Sequence, residues 1–152
     1  MSHKTVWITG ASSGIGREFA RRYARLGFRL ILTARRKERL DALAAELVSQ
    51  YGSFCRVLPA DLEQEDELAR LQTELADERI DIFINNAGFG VCGSFLETSA
   101  AAEDSMIKVN VLAMHALCKF AVRKMQAQGF GTVLNVASSA GLLPGGPYMA
   151  GY

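Results

Sequence analysis

Short apolar runs alternate with longer amphipathic stretches along this chain, and each change of period marks an element. Val6-Trp7-Ile8 reads as a first buried strand, followed by a glycine-rich turn. From Gly14 to Leu26 the apolar positions Ile15, Phe19, Ala20, Tyr23 and Leu26 recur at helical spacing, and Gly27 ends that helix. Phe28 to Thr33 is a second strand; Arg36 to Gln50 is a second helix with Leu40, Leu43, Ala44 and Leu47 on one face. Cys55 to Leu58 makes a third strand that Pro59 helps to end. Gln64 to Ala76 is an acidic helix held inward by Leu68, Leu71 and Leu75, its charge run a solvated face. Asp81 to Ile84 is a fourth strand, Gly88 to Ser99 a loop of small residues, Ala102 to Gln128 a long helix, and Gly131 to Ala137 a fifth strand.

Continuous apolar strands alternating with helices imply a parallel sheet covered on both faces. Right-handed crossovers then give a doubly wound α/β fold. Residues 1–152 fit one domain, with no repeat, linker or low-complexity segment.

Composition narrows the function classes. Apolar residues make up 49% and charged residues 22%, ordinary for a globular protein. The net charge of +1, from 17 Lys+Arg against 16 Asp+Glu, points to neither a nucleic-acid nor a membrane partner. No apolar run is expected to approach the ~18 residues of a membrane span. Met1 to Thr5 leads straight into a strand, so no secretory leader is expected. Cys55, Cys92 and Cys118 show no paired spacing and read as reduced thiols in a cytoplasmic protein. With only His3 and His115, no metal site is expected.

Thr9-Gly10-Ala11-Ser12-Ser13-Gly14-Ile15-Gly16 lies between the first strand and the first helix. A dinucleotide pyrophosphate belongs there, because glycines permit close backbone approach and the helix start offers free N–H groups and a positive dipole end. The spacing is G-x-x-x-G-x-G rather than G-x-G-x-x-G. Many such turns only let a helix pack against a strand, so the loop alone does not decide.

Three more motifs fall in register with it: Asn85-Asn86-Ala87-Gly88 after the fourth strand, Asn110 inside the long helix, and Ser138-x-Ala140-Gly141 followed by Tyr152. Together they resemble the short-chain dehydrogenase/reductase family over essentially the whole chain. The resemblance implies a Rossmann-type sheet of which strands one to five are present and the C-terminal strands and helices are not. It also implies a nicotinamide cofactor, a small carbonyl or alcohol substrate, and a homodimer or homotetramer for the full-length enzyme.

The end of the second strand selects the cofactor. An NAD enzyme keeps an acidic residue there for the ribose 2′-hydroxyl. By register with the family, Ala34 takes that position and Arg35 the next, within Thr33-Ala34-Arg35-Arg36-Lys37. A guanidinium binds a 2′-phosphate through charge-assisted bonds, whereas a basic run is otherwise misplaced at a helix N-terminus. The expected cofactor is NADP(H), with Arg35 the main contact and Arg36, Ser12 or Ser13 assisting. Asp61-Leu62 resemble the family's adenine-side contacts; Asp61 as a helix N-cap is an equal reading.

The resemblance assigns Tyr152 as the acid/base for the substrate oxygen, Ser138 as the group that holds that oxygen, and Asn110 as a helix-distorting residue supporting a proton relay through water. Ser138 is preferred to Ser139 because the family's serine stands two residues before Ala-Gly. Asn86, Ala87 and Gly88 are expected against the cofactor near the nicotinamide ribose. A free tyrosine has a pKa near 10 and needs positive charge beside it. The family supplies a lysine four residues after the tyrosine, a position past Tyr152. The expectation is therefore an inactive piece of a longer oxidoreductase. Two other readings are a non-catalytic NADP(H)-binding regulatory or sensor module, and an interaction protein with a vestigial loop that binds no NADPH. Phe89, Val91, Phe95, Leu142, Leu143 and Pro144 are expected to flank the substrate and are apolar, as loop packing would also require.

Overall fold

In a computed structural model of the chain, residues 4–141 are described. Five strands, β1 (Thr5–Thr9), β2 (Arg29–Ala34), β3 (Cys55–Pro59), β4 (Ile82–Asn85) and β5 (Thr132–Asn135), pair in parallel in the order β3-β2-β1-β4-β5. The connections carry α1 (Gly14–Arg25), α2 (Lys37–Tyr51), α3 (Glu65–Glu74), α4 (Ala100–Ile107) and α5 (Met114–Gln128). β1 is buried along its whole length because helices cover both faces of the sheet. Alternation along the strand divides the core. Val6 and Ile8 join Leu30, Leu32 and Ile84 under α1 and α2; Trp7 joins Ile31 and Phe83 under α3 and α5. Trp7 stacks on Phe83 with ring centroids 4.3 Å apart, and its indole N–H donates to Thr33 Oγ1 at 3.0 Å.

The strand order reverses between β1 and β4, which opens a crevice at their C-terminal ends. The opposite end is closed by Asp81, which precedes β4 rather than opening it. Its carboxylate is 1% exposed and accepts from the Thr5 amide at 2.9 Å and from Arg79 Nε at 2.8 Å.

Several boundaries differ from the pattern in the sequence. Ile15 and Leu26 are exposed; Gly16, Ala20 and Ala24 form the buried stripe of α1, with Phe19 and Tyr23 half-buried beside it. The helical period marks a face, but the sheet needs small residues where helix and strand approach closely. β5 has four residues rather than seven, and Thr132, Leu134 and Asn135 are exposed. Asp61 caps no helix: α3 begins after Gln64, and Asp61 Oδ1 instead accepts from the Glu63 amide at 3.2 Å, closing a turn.

The long helix runs unbroken from Ala100 to Gln128 and contains a π-helical turn at Lys108–Ala113. Its 29 residues are long and apolar enough to cross a membrane, with a mean hydropathy of 1.3 over an 18-residue window, contrary to the expectation that no run approaches a span. Two apolar sides produce that value. Met106, Val109, Ala113, Leu117, Ala121 and Met125 are buried in the fold, whereas Ile107, Val111, Leu112 and Val122 are exposed.

Candidate functional site

A cleft of about 790 Å³ opens at the C-terminal ends of the strands, where the sheet order reverses. That size and place suit a bound cofactor. The loop after β1 forms its floor. Gly10 has φ +67° and Gly14 φ +54°, both in the left-handed region that favours glycine. A Cβ on Gly14 would meet nothing within 4 Å, so this glycine borders open space in the cleft. Gly16 differs: it is buried and does not line the cleft. A Cβ there would collide with the Gly10 carbonyl and lie 2.5 Å from Asn86 Nδ2. Its hydrogen is required by protein packing rather than by a ligand.

Asn86 fills the gap between these two glycines. Its Nδ2 donates to the Thr9 carbonyl at 3.0 Å, and its main-chain N–H donates to Thr9 Oγ1 at 3.0 Å. The Ala87 N–H reaches the same hydroxyl at 3.1 Å. Asn86 therefore ties the end of β4 to the loop after β1, while Asn86, Ala87 and Gly88 also line the cleft. The sequence places Thr9 at the start of the glycine loop but gives it no role, since the partners of its hydroxyl stand 77 and 78 positions away. Asn85, which opens the Asn85-Asn86-Ala87-Gly88 motif but had no role assigned, donates from Nδ2 to the Met114 carbonyl at 3.0 Å and to Asn135 Oδ1 at 3.1 Å.

At the start of α1, Ser13 is the N-cap residue but makes no side-chain cap, and the first turn holds no acidic residue. The first N–H groups of a helix have no partner within it, so this end suits an anion. The Ser12 and Ser13 hydroxyls both accept from Arg36 Nη2, each at 3.3 Å. Arg35, at the end of β2, turns the other way and meets Glu63 Oε1 at 3.4 Å. Both arginines line the cleft, with Ala34, Asp61 and Leu62 beside them, and no carboxylate stands at Ala34.

Asn110 lies within the π-helical turn, a feature frequent at functional sites. Its Oδ1 accepts from the Phe89 amide at 3.1 Å and its Nδ2 donates to the Phe89 carbonyl at 2.7 Å. The side chain thus clamps the loop after β4 as a neighbouring strand would. Ser138 follows β5, lines the cleft and accepts from the Ala140 amide at 3.1 Å; Ser139 starts a short 3₁₀ turn and is not among the lining residues. Of the apolar residues expected around the substrate, Phe89 lines the cleft, Val91 and Phe95 do not, and Phe95 is exposed. Tyr152, with Leu142, Leu143 and Pro144, lies outside the described residues.

A parallel sheet with a glycine loop at its switch point and polar groups gathered around one cleft defines a dinucleotide-binding α/β protein. Residues 4–152 match the family model described as short chain dehydrogenase, and the chain belongs to that family. A very-long-chain 3-oxoacyl-CoA reductase from Anas platyrhynchos is 32% identical over 142 residues, covering 90% of this chain and 46% of its own length. A short-chain dehydrogenase from Sphingobium yanoikuyae, solved in complex with NADPH, superposes with a TM-score of 0.92 at 41% identity, over 98% of this chain and 58% of the other. The bulky-bulky ketone specific alcohol dehydrogenase from Comamonas testosteroni gives 0.93 at 37% identity, over 100% and 61%. The chain thus spans about half the length of the curated relatives it matches.

Proposed function

We propose that this chain is the cofactor-binding portion of an NADP(H)-dependent oxidoreductase that interconverts a carbonyl and an alcohol. The observation that carries the reading is the basic mouth of the cleft: Arg36 meets the loop after β1, Arg35 lines the same cleft beside it, and Ala34 stands where a 2′-hydroxyl would want a carboxylate. A ribose bearing a 2′-phosphate would gain charge-assisted bonds there, and one bearing a hydroxyl would find no carboxylate at Ala34. The Sphingobium yanoikuyae structure, with its bound NADPH, supports the same choice.

The residues present fit the cofactor in four places. The open floor at Gly14 and the α1 N-terminus would hold the pyrophosphate, Arg35 and Arg36 the 2′-phosphate, and Asp61 with Leu62 the adenine side. Asn86, Ala87 and Gly88 would border the nicotinamide ribose. When bound, NADPH supplies the hydride that reduces the carbonyl. Ser138 would hold the substrate oxygen by a hydrogen bond, and Tyr152 would deliver a proton to that oxygen or remove one in the reverse direction. Asn110 would keep the loop at Phe89 against the cleft and support the proton path. The half-buried Phe89 ring makes an apolar ketone or alcohol the favoured substrate class.

Equilibrium titration of the chain with NADPH and NADH tests the cofactor choice. NADPH should bind more tightly, and a double Arg35→Ala, Arg36→Ala variant should lose that margin, on the order of 1.5–3 kcal/mol per charge-assisted bond before solvent screening. Binding of NADH alone would overturn the reading.

A further inference from the structure

We propose that Glu63 competes with the cofactor's 2′-phosphate for Arg35 and so tempers the preference for NADPH over NADH. The inference rests on the assignment of that phosphate to Arg35 and Arg36. The two arginines are held differently. Arg36 reaches into the phosphate loop, to the Ser12 and Ser13 hydroxyls. Arg35 pairs with a carboxylate that does not line the cleft.

That carboxylate is anchored from behind. Glu63 Oε2 accepts from Ser105 Oγ at 2.9 Å, on the face of α4 that meets the loop after β3. Its side chain is 19% exposed, whereas that of Arg35 is 62% exposed. When a phosphate arrives, the mobile partner is therefore the arginine, and the carboxylate stays in place. Glu63 stands outside the cleft and the phosphate would sit inside it, so turning the Arg35 fork onto the phosphate draws its Nη1 off Glu63. The pair is exposed and long, hence weak, and a phosphate makes the stronger bonds. NADPH wins the exchange, with an affinity lowered by what Arg35 gives up. NADH carries no 2′-phosphate and does not take part in the exchange.

Glu63→Gln removes the charge while its side-chain amide still meets the Ser105 hydroxyl, so the anchor and the fold are retained. In titrations of the full chain, the variant is expected to bind NADPH about two- to fivefold more tightly, the range an exposed ion pair can supply, with NADH unchanged. The gain should shrink in high salt, where exposed charges are screened. It should vanish in an Arg35→Ala background, because no arginine remains to compete for. Unchanged or weaker NADPH binding, equal shifts for both cofactors, or a gain that survives Arg35→Ala would each overturn the proposal. Failure of the cofactor assignment itself has a different signature: the unmutated chain would show no preference for NADPH, and Arg35→Ala would not alter its binding.

Discussion

Asn86 occupies the space that Gly10 and Gly16 leave open, which separates two uses of glycine within one loop. Gly14 is needed for its backbone angle, since a side chain there meets nothing; Gly16 is needed for its missing carbon. Gly14→Ala should cost about 1–2 kcal/mol, the strain of an L-residue in the left-handed region. Gly16→Ala should cost more, about 3 kcal/mol or above, since the overpacked neighbours are a main-chain carbonyl and an amide already hydrogen-bonded. Chemical denaturation of the two variants checks that order, and equal losses would contradict it. Amide side chains also pair with main chain elsewhere. Gln128 donates to the Ile80 carbonyl at 2.9 Å and accepts from its N–H at 3.2 Å, repeating at the end of α5 what Asn110 does with Phe89. Burial pushes the Cys55 thiol up to about 11, so it holds almost no thiolate at neutral pH, while Cys92 is exposed. Thiol-reactive labelling followed by peptide mapping should find Cys92 modified well before Cys55.

Among the elements, α1 and α2 are joined by a bidentate pair: Arg21 Nε and Nη2 donate to the two Glu46 oxygens at 2.7 and 2.9 Å. The guanidinium holds the Glu46 carboxyl below its ordinary value of 4.5. A depressed carboxyl stabilises the fold above its unfolded pKa, and that contribution is lost as pH falls through the lower folded value. The stability difference between the unmutated chain and Arg21→Ala should thus be constant near neutrality and disappear as the pH drops below about 4.5. Solvent exposure keeps the difference small. A difference that grew with acidity would have the wrong sign.

Much of the element plan was legible in the sequence. Apolar runs located β1, β2 and β4, because a strand covered on both faces must be apolar throughout. The same logic misplaced Ile15 and Leu26, since periodicity finds an apolar face but does not say whether the sheet has room for its larger members. Asn110 stood out as a polar residue within an apolar helix, and the π-helical turn is found around it. What local pattern could not carry was contact across distance. Thr9 meets Asn86 77 positions later, and Ser105 meets Glu63 from 42 positions away. Nothing in either neighbourhood announces its partner.

Over the whole described molecule, the sheet separates two apolar clusters, and no buried side-chain polar atom among the described residues lacks a partner. The outer side of the α4–α5 helix is less settled, with Ile107, Val111, Leu112 and Val122 exposed together.

The hydroxyl of Thr9 has a practical consequence for anyone wishing to exchange the glycine loop between such proteins. Because it receives the amides of both Asn86 and Ala87, the phosphate loop is a composite of two chain segments that are remote in sequence. A loop transplanted as residues 9–16 alone would arrive without its support. A chimera should carry the Asn85–Gly88 segment along with it, and the boundary of the exchangeable unit is spatial rather than sequential.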